Sequence, residues 1–174
     1  MEKKIIRIAI TGPESTGKSW LSERLAQHFH TCWVPEYSSE YLERLHHPYE
    51  ETDILEIARG QFRNEEEMVK KANNILFCDT EFLVTLIWSE FRFGKCNPWI
   101  KTMFRNHMYS LYMLCDIDLP WENDPLREHP HQRELLFSLY RDALIEAKYP
   151  YIIISGVGEN RLNQAIEVVK GRFF

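Results

Sequence analysis

One short segment near the start of the sequence combines glycines, a lysine and hydroxyl side chains at a spacing that can hold a chain of phosphates. The segment reads Gly12, Pro13, Glu14, Ser15, Thr16, Gly17, Lys18 and Ser19, and it fits the pattern G-x-x-x-x-G-K-[ST]. Its glycines let the backbone turn tightly, so that successive N–H groups point at one anion. Lys18 can reach the β- and γ-phosphates, and the Ser19 hydroxyl can bind Mg²⁺. We therefore expect the phosphates of a nucleotide and Mg²⁺ to bind here, and the motif does not distinguish ATP from GTP; the alternative is a glycine-rich turn with an exposed lysine.

A second candidate is the carboxylate of Asp79, which ends the apolar run at 75–78. An acidic residue at the end of a buried strand can hold Mg²⁺ directly or through water, beside a phosphate loop. Ser19 and Asp79 are therefore the predicted metal ligands. The alternative role for Asp79 is to cap the helix that follows from Thr80.

A third candidate is Glu36, which follows the second apolar run directly after Pro35. A carboxylate at this place can accept the proton of an attacking hydroxyl group or hold a ribose. A glutamate is also common in the first turn of a helix, where it interacts favourably with the helix dipole. The residues alone leave both roles open, and they do not decide whether Asp79 or Glu36 is the catalytic base.

Residues 116–133 are rich in proline, acidic residues, arginine and histidine, and we expect them to form a mobile lid, here called the lid segment. Arginine on a closing lid can neutralise the charge that develops on a transferred phosphoryl group, and Arg127 and Arg133 are the candidates. Trp121 offers a flat ring that can stack on an aromatic or cationic group. The alternatives are solvated charges for the arginines and hydrophobic docking of the lid segment for Trp121.

Short apolar runs with strand character alternate with amphipathic helical patterns along the chain. This alternation predicts parallel pairing through right-handed crossovers, and hence an α/β, three-layer phosphate-loop fold with a five-stranded, mainly parallel sheet. Ligands of such sheets bind at the carboxyl ends of the strands, where the candidates above lie. The predicted strands are 5–10, 32–34, 75–79, 111–115 and 151–154. The predicted helices are 18–30, 38–46, a long helix capped by Thr52, 81–93, one after Pro98, 133–147 and 161–170.

The composition limits the class of protein. The 174 residues include 21 Lys+Arg and 26 Asp+Glu, a formal net charge of −5, and this length suits one domain, 1–174. No basic run is present, so nucleic acid is not an expected partner. No secretory signal or apolar stretch of the ~20 residues that a membrane helix needs is found, so a membrane is not expected either. The four cysteines form no C-x-x-C pair, so we expect neither a disulfide framework nor a zinc site. This use of cysteine favours the reducing cytoplasm as the compartment.

Taken together, these residues resemble a known family over nearly the whole length of the chain. The resemblance is to the ribosylnicotinamide kinase domain of the NadR family, in free-standing form. It rests on the phosphate loop and on matching residues further along: Glu36 and Tyr37 with Glu40, Gln61, Asp79 to Phe82, Gly94 and Lys95 with Pro98, and Trp121 with Asp124 and Arg127. Many families share the phosphate loop, whereas the Glu-Tyr pair and the Trp-x-x-Asp-x-x-Arg lid pattern are much more specific.

The resemblance implies a nucleoside-kinase-like fold, with ATP as phosphoryl donor and a small-molecule nucleoside as acceptor. The implied ATP-binding residues are those of the phosphate loop together with Arg133. The implied acceptor-binding residues are Glu36, Tyr37, Asp79, Trp121 and Asp124. The implied catalytic residues are Lys18, Asp79, Glu36 and Arg127.

The expected reaction is the phosphorylation of nicotinamide riboside to nicotinamide mononucleotide. One departure from the family pattern concerns the acceptor, because relatives often carry an arginine where this chain has Ser39. Two other functions stay open at this point: a phosphate-loop kinase for a different small acceptor, and a nucleotide-dependent ATPase or switch that acts through a protein partner. The sequence does not indicate an oligomeric state.

Overall fold

A computed structural model describes residues 4–174, and a five-stranded sheet lies at its centre. The strands are β1 (Ile6–Thr11), β2 (Trp33–Val34), β3 (Ile75–Asp79), β4 (Leu111–Cys115) and β5 (Tyr151–Ile154). Their order is β2-β3-β1-β4-β5, and every neighbouring pair is parallel. The carboxyl end of β1 therefore lies in the middle of the sheet, between the ends of β3 and β4.

Helices cover both faces of this sheet. They are α1 (Lys18–His28), α2 (Tyr37–Glu43), α3 (Glu51–Val69), α4 (Phe82–Phe93), α5 (Pro98–Asn106), α6 (Arg133–Ala147) and α7 (Glu159–Phe173). Successive side chains of a strand point to opposite faces, and β1 shows the result. Ile8 and Ile10 pack in a core with α1 and α7, whereas Ala9 packs in a second core with α3, α4, α5 and α6. The expected three-layer phosphate-loop fold is confirmed.

The start of α3 differs from the sequence-based prediction. Glu50 is its N-cap residue, not Thr52, and Glu50 forms a capping box with Asp53. In this arrangement the Asp53 carboxylate accepts a hydrogen bond from the Glu50 backbone N–H at 2.7 Å. Because a capping box satisfies two otherwise unpaired N–H groups at once, the helix begins before Thr52.

Other boundaries agree closely. Strands β3, β4 and β5 and helix α6 have the predicted ends. Helix α2 stops at Glu43 instead of 46, ahead of a polar loop in which Pro48 disfavours a helical conformation for His47. Helix α7 is longer than predicted at both ends. Within residues 4–174, no helix is long and apolar enough to cross a membrane.

Candidate active site

The phosphate loop lies between the end of β1 and the start of α1, at the carboxyl edge of the sheet. Gly17 has a φ of 76°, in the left-handed region that favours glycine, and it directly precedes the first residue of α1. Inside the loop, the Thr16 hydroxyl and the Lys18 ammonium group both donate hydrogen bonds to the Pro13 carbonyl, each at 2.8 Å. The loop is thus curled around the positive end of α1, an arrangement that binds anions.

A cavity of about 690 Å³ adjoins the phosphate loop and brings several predicted residues together. Its walls are the whole phosphate loop, parts of α2, α3 and α6, one face of α4, the lid segment and the start of α7. Of the predicted residues outside the loop, Glu36, Asp124 and Arg127 line it. Its volume falls in the range of sites for small organic ligands.

Asp79 ends β3 beside the phosphate loop and is only 1% exposed. Its Oδ2 atom accepts a hydrogen bond from the Ser19 hydroxyl at 2.5 Å. Burial raises the pKa of Asp79 to about 6, and the Glu36 carboxylate adds to this shift, whereas Ser19 and Lys18 oppose it. The structure therefore places the two predicted metal ligands in direct contact.

The cap of helix α4 is Glu81, not Asp79. The Glu81 carboxylate accepts hydrogen bonds from the Leu83 backbone N–H and from the Thr11 hydroxyl, both at 2.7 Å. Burial raises the pKa of this carboxyl to about 7. The alternative role of Asp79 as the cap of this helix is therefore wrong.

Thr80, between the two carboxylates, has a φ of 74°. A β-branched residue is rare in this left-handed region, and such a conformation costs on the order of 1–3 kcal/mol. The surrounding structure holds it in place, because the Thr80 backbone N–H donates to the Ile10 carbonyl at 3.1 Å. Thr80 also lines the cavity, so the strained turn is part of the site.

Glu36 lies just before α2 and faces the cavity. Its Oε1 atom accepts a hydrogen bond from the Ser38 hydroxyl at 2.5 Å, which fixes the direction of the carboxylate. Ser38 and Ser39 line the cavity beside it. A carboxylate and two hydroxyls therefore form one polar strip on this wall.

Gln61 of α3 connects this strip to Asp79. Its side-chain oxygen accepts from the Tyr37 backbone N–H at 2.8 Å. Its side-chain nitrogen donates to the Asp79 carbonyl at 3.1 Å and to the Pro35 carbonyl at 3.3 Å. Because Gln61 is 4% exposed and bonded on both sides, it sets the position of Glu36 relative to Asp79.

The two lid arginines both contact Ser15 of the phosphate loop. Arg127 donates to the Ser15 hydroxyl at 3.3 Å and to the Glu122 carbonyl at 2.7 Å. Arg133 donates to the Ser15 carbonyl at 2.9 Å and to the Leu119 carbonyl at 2.8 Å. Burial and the neighbouring Arg127 lower the pKa of Arg133. The lid segment thus brings both predicted arginines to the phosphate loop.

Two aromatic residues predicted to contact the acceptor, Tyr37 and Trp121, lie outside the cavity lining. The Tyr37 ring packs against α3 at Gly60, where any β-carbon would come within 2.0 Å of it. The Trp121 indole N–H donates to Asn123 at 3.2 Å, and the Arg133 guanidinium carbon lies 6.0 Å from the centre of its ring. Their contact with an acceptor remains a prediction that this arrangement does not support.

Arg161 is a site residue that the sequence did not signal. It is 1% exposed, lines the cavity, and donates to the Thr16 carbonyl at 2.7 Å and the Gly156 carbonyl at 2.8 Å. It also pairs with Asp118 of the lid segment. Since its partners are mostly backbone carbonyls of separate loops, no motif in the sequence reveals them.

Replacing Arg161 by leucine should lower the free energy of unfolding by about 3 kcal/mol, because it leaves buried carbonyls and Asp118 without their charged donor. Urea unfolding followed by circular dichroism measures this change. The matched control is Arg172→Leu, an exposed arginine on the same helix, which should change stability by less than about 0.5 kcal/mol. Equal effects of the two substitutions on the free energy of unfolding would show that the hydrogen bonds of Arg161 do not stabilise the fold.

The fold and the site together define a class of protein. A parallel sheet carries a lysine-containing phosphate loop between its central strand and the first helix, and an acidic residue from the neighbouring strand touches the hydroxyl at the end of that loop. These are the marks of a phosphate-loop nucleotide-binding protein.

The chain belongs to the AAA domain family, whose sequence profile matches residues 7–161. A curated relative is the trifunctional NAD biosynthesis/regulator protein NadR of Salmonella typhimurium, which is 27% identical over 172 residues. That alignment covers 94% of this chain but 42% of the relative. The chain thus spans less than half the length of the relative.

Two solved structures of NadR are similar in fold. One is a complex with NR, with a TM-score of 0.83, 21% identity, and coverage of 96% of this chain and 51% of that one. The other is a complex with NAD and AMP-PNP, with a TM-score of 0.78, 19% identity, and coverage of 96% and 49%. At these identities the similarity concerns the fold.

Proposed function

We propose that this protein is an ATP-dependent kinase that phosphorylates nicotinamide riboside to nicotinamide mononucleotide, a step of NAD salvage. The observation that carries the proposal is the shape of the cavity. One end is the phosphate loop, and the other is a polar strip beside an aromatic wall. The similarity to NadR, solved with NR and with an ATP analogue, supports both the donor and the acceptor.

The reducing cytoplasm is the proposed compartment, because the cysteines are free thiols.

The phosphate loop is the proposed donor site. Its N–H groups and the α1 dipole would hold the β- and γ-phosphates of ATP, and Lys18 would turn from the Pro13 carbonyl to the γ-phosphate. Arg127 and Arg133, both on Ser15, would add positive charge beside the transferred phosphoryl group. These residues carry the charge neutralisation on which phosphoryl transfer depends.

Ser19 and Asp79 are the proposed ligands of Mg²⁺. A hydroxyl and a carboxylate 2.5 Å apart are hard oxygen donors of the kind that this cation prefers. Among residues 4–174, no group of three or more His, Cys, Asp or Glu side chains is placed to hold a metal. The pair nevertheless fits Mg²⁺, which commonly takes one or two protein ligands together with phosphates and water. When bound, Mg²⁺ offsets negative charge on the β- and γ-phosphates.

The acceptor compartment lies between α2, α3 and α4. Glu36, Ser38 and Ser39 supply polar groups that suit ribose hydroxyls, and Trp88 and Phe91, one turn apart on α4, supply an aromatic wall that suits a planar ring. An aromatic wall near carboxylates also suits the positive charge of a pyridinium ring. This combination favours nicotinamide riboside over an acceptor without a ring.

The two carboxylates take separate roles in this proposal. Glu36 lines the cavity, whereas Asp79 lies behind it, bonded to Ser19. We therefore assign the proton of the attacking hydroxyl to Glu36. The acceptor oxygen attacks the γ-phosphorus, the bond from that phosphorus to the bridging oxygen breaks, and ADP leaves while the proton passes to Glu36.

Release of ADP, measured with and without a panel of nucleosides, tests the proposed function. We expect turnover with nicotinamide riboside to exceed acceptor-free hydrolysis at least about 100-fold, since positioning an acceptor contributes strongly to rate. Mass spectrometry should show a product heavier than the nucleoside by one phosphoryl group. Turnover only with other nucleosides would overturn the acceptor, and hydrolysis that depends on a protein partner but on no nucleoside would overturn the kinase.

A further inference from the structure

The lid segment is attached to the aromatic wall of the acceptor compartment by a short chain of hydrogen bonds. The Tyr49 hydroxyl, from the loop before α3, donates to the Glu128 carboxylate of the lid at 2.6 Å. The same hydroxyl accepts from the Trp88 indole N–H at 3.1 Å, and the two rings meet edge to face with 5.2 Å between their centres. Burial and the Glu128 carboxylate raise the pKa of Tyr49 to about 12, so its hydroxyl remains a donor at neutral pH.

The same part of the lid is bonded to the phosphate loop. The Glu14 carboxylate accepts from the backbone N–H groups of both Glu128 and His129, at 3.2–3.3 Å. The His129 ring also packs edge to face on Phe91 of α4, with 5.0 Å between ring centres. Residues 128 and 129 therefore join the two ends of the cavity.

We propose that Tyr49 and Glu128 are positioning residues that hold the lid closed over the acceptor compartment and exclude water from the transferred phosphoryl group. Neither side chain lines the cavity, so both act through Trp88 and the lid. This inference rests on the proposed kinase function. It assigns to the Tyr49–Glu128 pair a task that the contacts of Arg127 and Arg133 with Ser15 do not perform, because those contacts hold the lid at the ATP end only.

Loosening this contact has a chemical consequence. A water oxygen can then attack the γ-phosphorus in place of the acceptor hydroxyl, its proton passes to Glu36, and the bond to the bridging oxygen breaks as before. The products are ADP and inorganic phosphate, with no phosphorylated nucleoside. The number of phosphate ions released per nucleoside phosphorylated therefore reports how well the acceptor end is closed.

The test compares Tyr49→Phe and Glu128→Ala with Glu128→Gln, whose amide oxygen can still accept the hydrogen bond from Tyr49. We expect phosphate release per product to rise about fivefold in the first two variants, the effect of losing one or two hydrogen bonds, and to stay near the wild-type value in Glu128→Gln. The matched control is Tyr41→Phe, because the Tyr41 hydroxyl donates to Asp53 at 2.7 Å and not to the lid. It should leave the ratio unchanged.

Hydrogen–deuterium exchange of the lid segment gives a readout that needs no acceptor. Measured on the protein alone, lid amides should exchange about fivefold faster in Tyr49→Phe and Glu128→Ala than in wild type, Tyr41→Phe or Glu128→Gln. A wild-type phosphate-to-product ratio in Tyr49→Phe would overturn the positioning role. If the wild-type protein phosphorylates no nucleoside, the proposed function fails, and unchanged exchange in Tyr49→Phe would overturn the lid contact separately.

Discussion

Replacing Lys18 by alanine is expected to lower kcat for nucleoside phosphorylation by about 100- to 1000-fold, the usual cost of losing one donor to a developing charge. Lys18 donates to the Pro13 carbonyl at the surface of the cavity, so the fold should remain intact by circular dichroism. Because the proposed contact of Lys18 with the transferred phosphoryl group strengthens in the transition state, kcat should fall more than the affinity for ATP. Initial rates at saturating ATP and acceptor measure the effect.

The control for this substitution is Lys101→Ala. Lys101 is half-buried on α5 and pairs with Glu90 at the surface, far from the phosphate loop in sequence and outside the cavity lining. Its loss should leave kcat within about twofold of wild type. Near-normal turnover of Lys18→Ala would show that the phosphate loop is not the donor site.

Replacing Glu36 by glutamine is expected to lower kcat by about 100- to 10,000-fold, the range for removing a general base. Glutamine keeps the size of the side chain and its hydrogen bond from Ser38, but it cannot take up the proton of the acceptor hydroxyl. Binding of AMP-PNP, followed by calorimetry, should change little because Glu36 lies outside the phosphate loop, on the wall of the cavity proposed for the acceptor. Asp79→Asn should show the opposite pattern, a marked loss of magnesium-dependent nucleotide binding.

Glu43→Gln is the matched control for the first of these variants. Glu43 is exposed at the end of α2 and does not line the cavity, so the same chemical change there should leave kcat unaltered. If Asp79→Asn lost turnover while keeping magnesium-dependent binding, and Glu36→Gln kept turnover, the roles of the two carboxylates would be exchanged.

The central part of the site was predictable because it is local in the sequence. The phosphate loop follows one strand and precedes one helix, so its motif places Lys18 and Ser19 without any knowledge of distant residues. Asp79 could be placed beside them because the ends of parallel strands meet at one edge of a sheet. The contact between Ser19 and Asp79 follows from these two facts.

The rest of the site depends on contacts that no local pattern encodes. Arg161 bonds to carbonyls of separate loops, and Tyr49 reaches Glu128 across 79 positions of the chain. Thr52 has a residue type suited to capping, but the reciprocal bonds between Glu50 and Asp53 start α3 earlier. Trp121 belongs to the Trp-x-x-Asp-x-x-Arg lid pattern, but the position of its side chain depends on how the lid segment packs against the rest of the protein.

The three hydrogen bonds of Gln61 have a consequence for selectivity. They tie the backbone at Pro35, Tyr37 and Asp79 together, so the fold fixes the distance between the Glu36 and Asp79 carboxylates. An acceptor of a different size cannot change this distance, and only the lid segment can adapt to it. Larger acceptor analogues should therefore be excluded because the lid segment closes more slowly over them, while the backbone bonded to Gln61 keeps its shape.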